Sequence, residues 1–194
     1  MPAEGASVDQ RGLGERAQQG DHDAFAALAG ASIARLDTAA RLIVRDHELA
    51  RDAVQDTLVR CWRDLPTLRD PVAFDGWLHR LLVNACLDLI RRRRRRVMEI
   101  ELTPLHAPAT GDFSGQVIDR DLLDRALAAL APDWRAIVVL HYLLGVPLPE
   151  VAASLGIPLG TAKSRLSRAM GALRAATGSE PASTRTVAVE GRPA

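Results

Sequence analysis

Residues 148–174, LPEVAASLGIPLGTAKSRLSRAMGALR, carry Lys163, Ser164, Ser167 and Arg168 at helical spacing, with Arg165 at their margin. Ala162, Leu166, Ala169 and Leu173 fall on the other side, so burial of that stripe turns the polar side chains outward. Arginine and lysine bond guanine edges or phosphates, serine bonds either, and the amides of an early helical turn favour phosphate. Ahead of them a short helix (Val151, Ala152, Leu155) meets Gly156, which can take the positive φ of a tight turn. The result is a helix-turn-helix pattern. An isolated basic helix face is more often merely solvated. The short preceding helix, the glycine turn and the lack of acids on this face favour DNA contact.

Arg91 to Arg96 are six consecutive arginines. Such runs are often solvated tails or localisation signals. Here the run prolongs an amphipathic helix, so its charges are held in one direction and their repulsion is best relieved by a polyanion. Arg80, Asn84, Asp88 and Arg91 share a polar face of that helix. On another helix Asp52, Gln55, Asp56 and Val59 project away from the apolar stripe. By residue type alone this is a solvated face, and nothing in it names a partner.

No constellation for catalysis is present. His22, His47, His79, His106 and His141 lack ligand spacing, and there is neither a nucleophile elbow nor a glycine-rich phosphate loop. Asp75 and Asp88 are single acids on helix faces. The expectation is a protein that is not an enzyme and holds no cofactor or metal. Cys61 and Cys86 sit at apolar helical positions without CxxC spacing, which suits a reducing compartment. No signal-peptide core or 18-residue apolar run occurs, so a cytoplasmic protein without membrane insertion is expected.

The elements that must position these residues are helical. Hydrophobic residues make up 47% of the 194 and aromatics only 4%, dominated by Ala, Leu and Val. The expected fold is all-α, with two small helical domains joined by a flexible linker. Residues 1–20 read as a loose leader, 21–96 and 119–176 as compact blocks, 97–118 as a linker and 177–194 as a frayed tail. In the first block, Phe25, Leu28, Leu36, Ala39 and Ile43 predict a helix over 23–45. Asp46 caps a second helix whose stripe is Leu49, Ala53, Leu58, Trp62 and Leu65. A 66–69 loop and Asp70-Pro71 lead into a third helix burying Phe74, Trp77, Leu78, Leu81, Ala85 and Leu89. In the second block Leu123, Leu127 and Leu130 share a face, Pro132 opens a further helix, and Gly145 is placed to stop it. Net charge is only +1, but 97–118 carries −3 and 151–179 carries +4. Concentrated patches on a near-neutral chain suit local phosphate contact.

In this order the parts resemble the bacterial sigma-70 family, specifically the small extracytoplasmic-function (ECF) group with only regions 2 and 4. ARDAVQDTLVRCWRDL, 50–65, resembles the region 2 helix that docks on the β′ clamp of RNA polymerase. FDGWLHRLLVNACLDLIRRRRRR, 74–96, resembles the part that opens and reads the −10 element, and LGIPLGTAKSRLSRAMGALR, 155–174, resembles the −35 recognition helix. The resemblance covers about 21–176, and its last motif is the most specific. It implies that Asp52, Gln55 and Asp56 bind polymerase and that Asn84 contacts an unpaired −10 base. It also implies that the 67–71 loop, with Leu68 and Arg69, forms a base pocket, while Arg80, Arg91 and Arg92 hold nearby phosphates. His141, Thr161, Lys163, Ser164, Arg165, Ser167 and Arg168 would serve the −35 element. The acidic linker would thread towards the RNA-exit path. The implied partners are core RNA polymerase (β′ clamp and β subunits), promoter DNA and an anti-sigma factor.

Four positions depart from the family pattern. Leu68 stands where an aromatic is frequent, Pro147 and Pro149 replace a polar cap, and His141 stands where arginine is common. Two rivals remain on sequence grounds. A helix-turn-helix regulator acting without polymerase predicts a dimer on a palindrome and gives Asp52, Gln55 and Asp56 no role. A helical protein-interaction module predicts no salt-sensitive DNA contact.

Overall fold

The computed structural model describes residues 4–100 and 118–177, and every regular element among them is helical. Helix α1, Glu4–Gln18, precedes α2, His22–Val44. Asp21 caps α2, its carboxylate accepting from the Asp23 and Ala24 N–H groups at 3.0 Å each. Arg16 grips the same carboxylate at 2.9 and 2.7 Å, tying the end of α1 to the start of α2. Helix α2 ends at Arg45, whose φ of 59° is left-handed and whose N–H returns to the Arg41 carbonyl. Asp46 then caps α3, His47–Asp64, by accepting from Leu49 N–H at 3.1 Å. A single 3-10 turn at Leu65–Thr67 and another at Pro71–Ala73 lead into α4, Phe74–Ile100.

The first block is built by α1 to α4. Ala39, Ala40, Ala50 and Ala53 are fully buried between α2 and α3, and their small side chains let the two helices approach closely. Leu36, Ile43, Leu65, Phe74, Leu78 and Leu82 fill the remainder. Each such side chain contributes about 1.5–3 kcal/mol by leaving water. The buried stripe of α3 is Ala50, Ala53, Val54, Thr57 and Cys61, rotated from the expected one, so that Leu49, Leu58 and Trp62 are only half-buried. Trp62 lies at the rim, stacked on His22 with Phe25 edge-on. Helix α4 is buried more widely than one stripe requires. Leu82, Val83, Cys86 and Leu87 are covered as well as Phe74, Leu78 and Ala85, because α2 and α3 flank it on one side and the second block on another.

The second block contains α5, Ile118–Ala128, and α6, Pro132–Val138, which continues as a π turn through Val139–Leu143. Gly145 stops it with φ 69°. Helix α7, Leu148–Ser154, and α8, Leu159–Thr177, complete the block. Ala126, Leu127, Leu130, Val138, Ala169 and Leu173 form its own small core. Arg135 is buried here and donates to the Leu127 carbonyl at 3.3 Å. Burial, and then the neighbouring Arg45 and Arg94, lower its pKa to about 10.

One expectation changes. The 1–20 leader, expected to be loose, is helical over Glu4–Gln18, with Gly14 and Ala17 buried. The two expected helical blocks also touch each other. Ala136, Ile137, Val139, Leu140, Leu144, Val146 and Val151 join one continuous apolar cluster with the first block. Arg35 donates to the Leu144 carbonyl at 3.2 Å, and the Arg45 guanidinium donates to the Asp124 carbonyl. Helix α4 runs four residues into the segment read as linker, while 101–117 and the 178–194 part of the tail lie outside the described residues.

Candidate nucleic-acid and polymerase interfaces

Helices α7 and α8 form the turn expected of a helix-turn-helix. Val151 and Ala152 are buried, Gly156 takes φ 64°, and Ile157 N–H returns to the Ala152 carbonyl at 3.0 Å. Helix α7 starts at Pro147 without a side-chain cap, as the proline-rich entry implies. On α8, Ala162, Ala169 and Leu173 are buried and Leu166 half-buried, leaving Lys163, Ser164, Ser167 and Arg168 exposed. Lys163 and Arg168 make no ion pair among the described residues. Ser164 donates its hydroxyl to the Thr161 carbonyl at 3.0 Å, which leaves its oxygen lone pairs for a donor from outside.

Two members of the expected −35 set are engaged elsewhere. Arg165 is half-buried and lies 3.6 Å from the Asp133 carboxylate of α6. His141 is half-buried with Nδ1 donating to the Val146 carbonyl at 3.0 Å, since the carbonyl can only accept. In that tautomer its Nε2 is an acceptor.

Helix α4 presents Arg80, Asn84 and Arg91 on one exposed face, with half-buried Asp88 between them holding Arg91 at 3.1 Å. The arginine run divides. Arg93 turns inward to the Asp46 carboxylate, while Arg92, Arg94, Arg95 and Arg96 are exposed. Burial pushes the Asp46 carboxyl up, but the Leu49 N–H and Arg93 outweigh it and hold the group below its ordinary value. So Arg93 locks the start of α3 to α4, while Arg92, Arg94, Arg95 and Arg96 face outward.

Between α3 and α4, Arg69 is exposed but Leu68 is half-buried and packed on the first-block core. Leu68 is thus a wall of the segment, seated on the core beneath it. Two further anchors went unseen in the sequence. Gln18 Nε2 donates to the Leu65 and Leu68 carbonyls at 3.3 and 2.5 Å, and Thr67 Oγ1 donates to the Asp64 carbonyl at 2.6 Å. No local pattern marks Gln18, because its partners lie about fifty positions away.

The outer side of α3 carries exposed Asp52 and Gln55 and half-buried Asp56, which Arg60 holds at 2.7 Å. Val59 is 59% exposed on the same side, an apolar spot beside the acids. Cys61 and Cys86 are buried free thiols, both pushed by burial up to about 12. Among the described residues no group of three or more His, Cys, Asp or Glu could hold a metal ion, and no helix is long and apolar enough to cross a membrane.

Fold and faces together define a two-block helical protein with a helix-turn-helix and separate acidic and cationic surfaces. Comparison with known proteins makes the class specific. Residues 32–96 match Sigma-70 region 2 and residues 120–173 match Sigma-70, region 4. The ECF RNA polymerase sigma factor SigM of Mycobacterium tuberculosis is 36% identical over 151 residues, spanning 77% of this chain and 75% of SigM. ECF RNA polymerase sigma factor SigE of Mycolicibacterium smegmatis is 37% identical over 139 residues, 69% of this chain but about half (53%) of SigE. Among solved structures, the sigma factor RpoE in complex with the anti-sigma factor NepR from Bartonella quintana superimposes with a TM-score of 0.66 at 27% identity. That match covers 77% of this chain and 93% of RpoE. CnrH, solved in complex with the cytosolic domain of CnrY, gives 0.64 at 28% identity over 89% and 99% of the two chains. The chain belongs to the sigma-70 family, among the ECF RNA polymerase sigma factors.

Proposed function

We propose that this chain is a cytoplasmic transcription initiation factor, without catalytic chemistry of its own, that docks on core RNA polymerase and directs it to promoters with −10 and −35 elements. The observation that carries this reading is the separation of three exposed faces on one chain of this family. Asp52, Gln55 and Val59 stand on α3, Arg80 and Asn84 on α4, and Lys163, Ser164, Ser167 and Arg168 on α8. The first suits a protein surface that supplies cations, the second a single strand with its phosphates, and the third a duplex groove. Asp56 joins the first by exchanging Arg60 for a partner's cation. A regulator acting without polymerase leaves the α3 face unused.

The reading requires the two blocks to part. Elements about 25 base pairs apart lie roughly 85 Å apart along B-DNA at ~3.4 Å per pair. A compact chain of this length has a radius of gyration of only about 16 Å. The blocks cannot touch both elements while they share a core, so docking on polymerase must exchange the inter-block contact for contacts to the enzyme and DNA. A partner that stabilises the closed form would hold the factor inactive, and the likeness to RpoE, solved with its anti-sigma factor NepR, supports an anti-sigma partner here. The direct test is co-purification with core polymerase followed by transcription from a two-element promoter chosen by mapping start sites after overexpression. A protein that binds duplex DNA but never retains polymerase overturns the proposal.

A further inference from the structure

Helix α1 grips the segment between α3 and α4 at both ends. Gln18 Nε2 carries two hydrogens and donates both, to the Leu65 carbonyl at 3.3 Å and the Leu68 carbonyl at 2.5 Å. One helical turn earlier, buried Gly14 meets Pro71, where a Cβ added to the glycine would stand 2.9 Å from Pro71 Cβ. Residues four apart lie on one helix face, so a single edge of α1 spans the segment from Leu65 to Pro71. Helix α1 is itself fixed, because Arg16 holds Asp21 at the cap of α2 and Ala17 is buried. Within the segment, Leu68 N–H returns to the Leu65 carbonyl at 3.0 Å and Thr67 Oγ1 to Asp64. Thr67 ties the segment back to α3, and Leu65 and Leu68 pack on the core, while Gln18 and Gly14 add a second anchor from α1.

We propose that α1 is the template for the −10 reading segment and that Gln18 is a positioning residue for base selectivity. It rests on the reading of residues 67–71 as the loop that meets the −10 element. By fixing the Leu65 and Leu68 carbonyls, Gln18 determines where the Leu68 wall and the Arg69 guanidinium stand when an unpaired base arrives. Selectivity depends on such placement more steeply than affinity does, because a displaced wall accepts right and wrong bases alike.

The test uses the full chain in holoenzyme, on promoters in which each −10 base is varied in turn with the −35 element held constant. Gln18→Glu removes the donor and sets a carboxylate against two carbonyls. Gly14→Ala pushes on Pro71 independently, and Gln18→Lys restores a donor. Circular dichroism and retention of core polymerase check that each variant folds. Gln18→Glu and Gly14→Ala are expected to flatten the ratio of initiation rates between best and worst base by about three- to tenfold, the scale of one net hydrogen bond. Affinity for a −35 duplex should not move, and Gln18→Lys should recover most of the ratio. A uniform fall in rate with the ratio intact means α1 is only structural, and the proposal fails. If Arg69→Ala flattens the ratio while Gln18→Glu does not, the proposal fails and the −10 reading stands. If neither Arg69→Ala nor Leu68→Ala moves the ratio, the −10 reading fails and the proposal falls with it.

Discussion

The Arg35 guanidinium of α2 donates to the Leu144 carbonyl at 3.2 Å, joining the first block to the turn that follows α6. This bond lies at the margin of the shared apolar cluster. Arg35→Ala removes it without opening a cavity in either block. One net hydrogen bond is worth about 0.5–1.5 kcal/mol, so the open population should rise roughly two- to twelvefold. Small-angle scattering, or energy transfer between dyes on α1 and α8, should report the expansion at unchanged helicity. An unaltered profile would mean that the apolar cluster alone holds the blocks together.

Arg168 and Arg165 should behave differently although both lie on α8. Arg168 is exposed and unpaired among the described residues, whereas Arg165 is half-buried beside Asp133. Arg168→Ala should weaken −35 duplex binding by roughly 1–3 kcal/mol if it reads a base edge, and Lys163→Ala should lower the salt slope by about one if it meets a phosphate. Arg165→Ala should weaken binding less, and Asp133→Asn should strengthen it by releasing Arg165. Fluorescence anisotropy at several salt concentrations distinguishes these outcomes. Equal losses for Arg165→Ala and Arg168→Ala would show that the Asp133 pair breaks on binding.

Asp56→Arg places a second cation against Arg60, which now holds the carboxylate at 2.7 Å. The position is at the surface of α3, away from the Ala50, Ala53 and Cys61 stripe, so the helix should persist. Polymerase binding should be lost on gel filtration while the circular dichroism spectrum is kept. Full-strength holoenzyme formation by the variant would remove the α3 face from the docking surface.

How much of this was legible in the sequence depends on whether the determining contacts are local. The helix-turn-helix was readable because Gly156 and the Ala162, Ala169 and Leu173 stripe encode it within twenty residues. Asp46 was readable as a cap for the same reason. Helix α1 was not, because Gly12, Gly14 and the two adjacent glutamines give no apolar period, and Gly14 and Gln18 act through Pro71, Leu65 and Leu68. Six identical arginines carry no pattern, so only the placement of Asp46 reveals that Arg93 is structural. Val139, Leu140 and Val146 look like the inner face of a separate block, and nothing local says that the first block covers them.

His79 makes stability depend on pH. It is buried on α4, and its Nδ1 has no hydrogen-bond partner among the described residues. Burial lowers its pKa, Asp75 opposes this and Arg35 adds to it. The folded value therefore lies below that of the unfolded chain, ordinarily about 6.5, and the unfolded chain binds more protons in between. The contribution is complete above that range and is lost progressively as pH falls from about 6.5 towards the folded value. Because Arg35 also bonds Leu144, a proton on His79 sets two cations against each other beside the junction between the blocks. Urea midpoints taken at pH values from about 7.5 down to 5.5 should fall more steeply for the unmodified chain than for His79→Leu, which cannot take up that proton. Parallel pH profiles for the two proteins would assign the acid sensitivity to other groups.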